Sequence, residues 1–244
     1  MTISPVFDNV SFKYRRNSVL HAFSHEFGAG STLLLGPNGA GKSTLLQLAA
    51  GVLAPREGTV VVDGASSTDR AERGRYLSTV GFMPQRISAM PGLSVREQVA
   101  YVGWLKGKER SDAWDDSWDA LGYAGLQGLA DRAANRLSGG ELRRVGIAQT
   151  LIMKPGVVLL DEPTVGLDPI EHARFQDVLD ELRGSVNFIV STHQAEDVSN
   201  NFDHVAVLAD GTLRFSGSVA EFFSRADPSQ PKLLSAYTNV IGAQ

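Results

Sequence analysis

The sequence of 244 residues contains no cysteine, which excludes disulfides and cysteine-ligated zinc and fits a reducing compartment. It has no apolar run approaching the roughly 20 residues that a membrane-spanning helix needs. Met1–Pro5 carries no basic stretch followed by an apolar core, so no secretory signal is expected. A basic excess is missing too: 23 Lys and Arg stand against 27 Asp and Glu, a net charge of −4, which argues against nucleic acid as a partner. There is no internal repeat and no low-complexity tract. What is left is ordinary globular material, 43% hydrophobic and 20% charged, enough for one large α/β domain or a core with an insertion. Such a chain is expected in the cytosol unless a partner holds it at a membrane.

Against these absences one stretch stands out. Gly36-Pro37-Asn38-Gly39-Ala40-Gly41-Lys42-Ser43-Thr44 fits the phosphate-loop spacing of a glycine, four residues, then Gly-Lys-Ser. Ser31–Leu35 before it reads as a buried strand, and Leu45–Ala50 after it as a helical run stopped by Gly51. Strand, glycine loop and helix form the context that the motif requires. Gly36, Gly39 and Gly41 permit backbone conformations that a Cβ forbids. Successive N–H groups then turn inward as an anion nest, and the helix starting near Lys42 adds its positive dipole end. Lys42 would reach the β- and γ-phosphates, and the Ser43 hydroxyl would ligate Mg²⁺. The chain is therefore expected to bind a nucleoside triphosphate.

The flanking segments supply the frame. Val6–Tyr14 alternates apolar and polar residues as a strand or hairpin arm, Arg15-Arg16-Asn17 is a turn, and Val19–Phe27 is a second strand-like stretch. Tyr14, upstream of the loop, either stacks on a nucleotide base or packs on the sheet. Gly58 and Gly64 enclose a strand, and Ser66–Arg75 reads as a surface loop or short helix. Val80–Met83 is a short buried strand ended by Pro84, with Gln85 next. Ser94 and Glu97 form a capping-box pattern for a helix carrying Val95, Val99, Val102 and Leu105 and ending at Gly107. A second helix, Asp112–Leu121, aligns Trp114, Trp118 and Leu121 in a stripe expected in the core. From about Ile87 to Met153 no strand is convincing, which predicts a helical insertion. Within it, Arg136-Leu137-Ser138-Gly139-Gly140-Glu141 opens a helix with Leu142, Val145, Ala148 and Ile152 on one face. Its two glycines make either an anion-ready terminus or a plain cap.

Val157–Leu160 has the continuous apolar character of a central parallel strand and runs into Asp161-Glu162, at the strand end where open α/β sheets bind ligands. Asp161 suits Mg²⁺, directly or through water. Glu162, expected on the opposite side, suits orienting or deprotonating an attacking water. Asp168-Pro169 starts a helix whose buried side is read as Ile170, Phe175, Val178, Leu179 and Leu182. Asn187–Thr192 is another core strand, with His193 past its tip as either a γ-phosphate donor or a solvated cap. Val205–Leu208 and Thr212–Phe215 form a hairpin about Asp210-Gly211, Ser218 caps a helix over Val219–Phe223, Asp227–Pro231 is a linker, and Leu233–Ile241 reads as a loosely docked tail.

The ordered set of phosphate loop, Gln85, helical insertion, Leu137–Glu141, Val157–Glu162, Gly166-Leu167-Asp168 and His193 resembles the ATP-binding subunit of an ABC transporter, from about residue 4 to 225. The resemblance implies an α/β fold. It comprises a P-loop NTPase core of RecA-like type with a mainly parallel sheet, an N-terminal antiparallel β subdomain, and a helical subdomain inserted at about 87–153. That domain would span 1–225, with a linker and tail over 226–244.

The resemblance also implies roles. Tyr14 would stack on adenine, and Gly36 to Thr44 would bind the phosphates. Gln85 would sense Mg²⁺ and the attacking water and couple to the membrane partner. Asp161 would serve Mg²⁺, Glu162 would be the catalytic carboxylate, and His193 would contact the γ-phosphate. Ser138, Gly139 and Gly140 would meet the γ-phosphate held by a second subunit, and Asp168 would bridge to that subunit. Glu141 departs from the family's usual glutamine. Activity is expected to survive, although a carboxylate near a triphosphate would weaken dimer closure.

Since the chain has one phosphate loop and one signature loop, separated by most of the insertion, a site using both must borrow one, giving a head-to-tail dimer with two sites. The permease would be a separate chain, gripped by the loop after Gln85 and the helix from Ser94 to Leu105, at the cytoplasmic face of the membrane. The Pro37–Ala40 loop, the Gly92–Glu97 stretch and the short tail resemble exporter subunits. The competing readings are a soluble ABC-type ATPase outside transport, such as an iron–sulfur assembly ATPase, and a nucleotide kinase, against which the signature loop argues.

Overall fold

A computed structural model describes residues 3–193, 202–227 and 229–242. Met1, Thr2 and Pro228, which belong to the N-terminal and linker readings above, lie outside the described residues. A six-stranded sheet organises the rest. Its central strands β3 (Ser31–Leu35), β7 (Val157–Asp161) and β8 (Asn187–Thr192) are the apolar runs of the sequence, and β3 and β7 are buried throughout. The period of two divides each strand between two faces. Leu34, Leu159 and Ile189 enter one core, while Leu33, Leu35, Leu160 and Val190 enter the other.

With β6 (Val80–Met83), β9 (His204–Ala209) and β10 (Thr212–Ser218), the strand order is β10-β9-β3-β8-β7-β6. All neighbours are parallel except β9 and β10, the hairpin expected at Asp210-Gly211. A second, antiparallel sheet orders β2-β1-β4-β5, from β1 (Val6–Tyr14), β2 (Asn17–Glu26), β4 (Glu57–Val62) and β5 (Ala65–Ser66). Helix α1 (Lys42–Ala49) contributes to the first core together with residues of this sheet. Ser66–Arg75 resolves into β5 and the start of α2 (Arg73–Thr79), whose Tyr76 is buried and donates to the Ala49 carbonyl.

Between β6 and β7 the described elements are helices joined by loops, with α3 (Val95–Leu105), α4 (Arg110–Tyr123) and α5 (Gly139–Leu151) closing a third core around Val95, Val99, Leu121, Val145 and Ile152. The capping box at Ser94 and Glu97 forms as the sequence predicts.

Three expectations are corrected. Trp114 and Trp118 are each 42% exposed. The buried face of α4 is instead Ala113, Ser117, Ala120 and Leu121, side chains small enough for close helix contact. Ile170, read as core, stands 67% exposed in the first turn of α6 (Pro169–Leu182), because the burial stripe of that helix starts only at Phe175. The tail is not loosely docked. Leu233–Ile241 falls in α8 (Lys232–Gly242), which buries Ala236 and Val240 in the second core beside Phe222 of α7 (Val219–Phe223). No helix among the described residues is long and apolar enough to cross a membrane.

Candidate functional site

The loop from Gly36 to Gly41 joins β3 to α1 at the C-terminal edge of the parallel sheet. A Cβ on Gly36 would collide with the Leu208 carbonyl oxygen of β9, so the chain must be glycine to leave the sheet here. Helix α1 begins after Gly41 in a left-handed conformation, with no side chain capping its first amides. Those amides are the donors that an anion completes.

Lys42 is buried at 4% exposure, and its Nζ donates to the carbonyls of Gly36 (2.6 Å) and Pro37 (3.1 Å). Burial pushes the Lys42 ammonium below its ordinary pKa, offset by the carboxylates of Glu162 and Asp161. The Ser43 hydroxyl donates to Asp161 Oδ1 at 3.0 Å, and Ser191 Oγ donates to the same oxygen at 2.7 Å. Thr44 is buried in the first turn.

Strand alternation would send Glu162 away from Asp161, but Glu162 has a φ of 46° and ends the alternation. Its amide donates to both the carbonyl and the hydroxyl of Ser191. Its carboxylate turns into the cavity, where Oε1 lies 3.9 Å from Lys42 Nζ. Oε2 lies 3.3 Å from Gln85 Nε2 and 3.2 Å from His193 Nδ1. Lys42, Gln85, Glu162 and His193, drawn from four separate segments, thus border one cavity of about 600 Å³. Asn38, Gly39, Ala40, Gly41, Ser43 and Thr44 complete its floor. Tyr14, 45% exposed at the end of β1, forms the outer wall, edge-on to Phe12 and donating weakly to Gln47 at 3.4 Å.

Ser138, Gly139, Gly140 and Asp168 do not line this cavity. Ser138 caps α5 through a full capping box: its hydroxyl accepts from the Glu141 amide at 3.2 Å, and the Glu141 carboxylate accepts from the Ser138 amide at 2.7 Å. Glu141 also faces Arg132 at 3.6 Å. The Ser138 amide holds the Glu141 carboxyl below the usual carboxylate range. Asp168 caps α6, accepting from the amides of Ile170 and Glu171 at 2.9 Å each.

Ser191 is a site residue that sequence reading passed over. The register pairs it with Asp161, so a polar residue at the tip of an apolar strand was the available signal. Arg143 carries no periodic signal at all, yet its guanidinium donates to the carbonyls of Glu162 (3.1 Å) and Val165 (2.9 Å).

The oxygens of Ser43 and Asp161 suit a hard divalent cation, and no cluster of three or more His, Cys, Asp or Glu among the described residues forms a complete protein cage. That donor set fits Mg²⁺, which keeps few protein ligands and completes its shell with phosphate oxygens and water.

A family model described as ABC transporter matches residues 20–165. A Pyrococcus furiosus protein that bears the name of an ABC transporter ATP-binding protein is 35% identical over 207 residues, covering 84% of this chain and 79% of that protein. The Fe(3+) ions import ATP-binding protein of Escherichia coli O157:H7 is 33% identical, covering 88% of this chain and 62% of that protein. Among solved structures, cbiO1 of Clostridium perfringens, described as part of an ABC transporter complex, superposes with a TM-score of 0.79 at 27% identity, covering 92% of each chain. An ATP-binding cassette solved as a dimer in a post-hydrolysis state with ADP and Pi gives a TM-score of 0.76 at 25% identity, covering 88% of this chain and 98% of that one.

Proposed function

The chain belongs to the ABC transporter family as an ATP-binding subunit with ATPase chemistry, and from that premise we propose how its residues hydrolyse ATP and to what they couple it. The observation that carries the reading is the convergence of Lys42, Gln85, Glu162 and His193 on the cavity above the uncapped start of α1.

The triphosphate lies over the free amides of α1, with adenine against Tyr14. Lys42 exchanges the carbonyls of Gly36 and Pro37 for the β- and γ-phosphates. Ser43 and Asp161 hold Mg²⁺, which supplies neutralising charge at the phosphates when bound. Glu162 accepts a proton from, or orients, the attacking water, and Gln85 and His193 hold its carboxylate in line. His193 is also placed to donate to the γ-phosphate. Ser138, Gly139 and Gly140 close the site from a second ATP-binding subunit, with Asp168 at the junction; their separation from the cavity in a single chain supports this.

The transport partner is a separate permease at the cytoplasmic face of the membrane. A cavity of about 510 Å³ between α3 and α4, walled by Leu93, Ala100, Tyr101, Trp104 and Trp114, with Arg110 among its lining residues, is the surface we assign to it. This gives exposed Trp104 and Trp114 a role that core packing does not. The Pro37–Ala40 and Gly92–Glu97 sequences favour export.

One experiment tests the reading. The tagged Glu162→Gln chain, extracted from membranes with ATP, is expected to bind nucleotide, lose at least about a hundredfold in turnover, and stay trapped as a dimer with a multi-span partner. Undiminished turnover would refute the role of Glu162. Recovery with soluble proteins alone would refute the transport role in favour of a soluble ATPase.

A further inference from the structure

Helix α5 is fastened to the segment that follows β7 by two consecutive arginines. Arg143 donates to the carbonyls of Glu162 and Val165, so the backbone of the catalytic carboxylate is held at both ends. Its amide is fixed by Ser191 of β8, and its carbonyl by the guanidinium from α5. That grip matters because Glu162 adopts a left-handed φ of 46°, a strained conformation that persists only where the surroundings enforce it.

Arg144, 9% exposed, donates to the carbonyls of Ala124 and Gly125 at the end of α4, and its Nε faces Glu171 Oε2 of α6 at 3.3 Å. Neither of those two atoms has a hydrogen-bond partner, so what joins them is the attraction of a buried ion pair. Glu171 is itself braced by Arg174 at 2.6 Å. It packs so closely on the signature loop that a Cβ on Gly140 would come within 2.5 Å of it.

We propose that Arg143 and Arg144 are positioning residues that make the signature loop and the Glu162–Glu171 segment one rigid unit, so that each ATP site of the two-subunit assembly reports its state to the other. The inference rests on the two-site reading given above. Ser138–Gly140 would serve the facing subunit's nucleotide, while Glu162 serves the chain's own. Ser138 and Arg143 lie on one helix, about 6 to 8 Å apart along its axis. A displacement of the signature loop, when it engages or leaves the facing nucleotide, is therefore delivered to the segment after β7 through two hydrogen bonds, one to the Glu162 carbonyl and one to that of Val165. Arginine suits this task because its planar fork takes two carbonyls at fixed geometry, which a lysine ammonium does not. Coupling of this kind requires two arrangements of one element, here the open and closed states of the assembly.

The test is ATP-concentration dependence of turnover by the purified full chain, for wild type, Arg143→Ala and Arg143→Lys, with Glu171→Gln as a second route to the same joint. Wild type is expected to show positive cooperativity. Arg143→Ala is expected to lose about tenfold or more in kcat with the half-saturating ATP concentration within about twofold, and to become non-cooperative. Arg143→Lys is expected to stay non-cooperative because charge alone does not rebuild the fork, and Glu171→Gln to weaken cooperativity with a smaller change in kcat. Cooperativity retained in Arg143→Ala, with only kcat and melting temperature lowered, would overturn the proposal and leave a merely structural arginine. A non-cooperative wild type would overturn the two-site reading and the proposal with it.

Discussion

The glycine-bearing starts of α1 and α5 are built in opposite ways. Helix α1 begins at Gly41 with a φ of 104° and no side-chain cap, over a buried Lys42. Helix α5 begins at an extended Ser138 whose capping box with Glu141 already satisfies the Glu141 and Ser138 amides. The first start has unspent donors and a cation beneath them, and is an anion site before any ligand arrives. The second is a finished cap with the Gly139 and Gly140 amides still to place. It would gain from a phosphate only if one were brought to it, which in the proposed two-subunit site a facing subunit would do. On the proposed reading, one start is the receptacle and the other the lid.

Three substitutions separate these roles, from the largest effect to the smallest. Lys42→Ala should lower ATP turnover by about a hundredfold or more, since it removes the buried cation at the developing charge. A variant that kept a tenth of wild-type turnover would show that the first start is not the phosphate site. Ser138→Ala should cost roughly 1 kcal/mol of stability by opening the cap and about tenfold in turnover, with ATP affinity of the single chain unchanged by calorimetry. Weakened single-chain affinity would mean that the signature loop serves its own nucleotide.

Glu141→Gln should be the mildest. Glutamine keeps the capping-box geometry, and the lost pair with half-exposed Arg132 is worth at most about 1 kcal/mol near neutral pH. Because the Glu141 carboxyl is held below its ordinary pKa of 4.5, its contribution is full above that pH and fades as pH falls through the lower folded value. The melting-temperature gap between wild type and Glu141→Gln should therefore shrink in acid; a gap constant down to pH 3 would count against the cap. The direction of Glu141 bears on the expected repulsion of a facing triphosphate. Its carboxylate is turned back onto the Ser138 amide and Arg132.

The other differences between sequence and structure arise where a local pattern leaves direction open. The tryptophan stripe of α4 was legible as a periodic pattern, but period alone does not say which side of a helix meets its neighbours. Packing at short range selected Ala113, Ser117 and Ala120 and turned Trp114 and Trp118 outward, where Arg96 lies over both rings at 4.0 and 5.2 Å. Ile170 failed likewise, at the first turn of a helix whose near end overhangs the core. Glu162 was legible as a carboxylate past a central strand, but its direction was not, because a single left-handed residue reversed the alternation.

By itself the sequence determined the local elements. Apolar runs specified central strands, serine caps specified where α3, α5 and α7 begin, and glycine spacing specified a phosphate loop, because each depends on residues within about one turn of one another. Only the tertiary structure decided how Lys42, Gln85, Glu162 and His193 meet, that Ser191 shares an oxygen of Asp161 with Ser43, and that Arg143 holds the Glu162 carbonyl. Those contacts join residues that strand order and helix packing bring together from distant parts of the chain, and no short-range pattern records them.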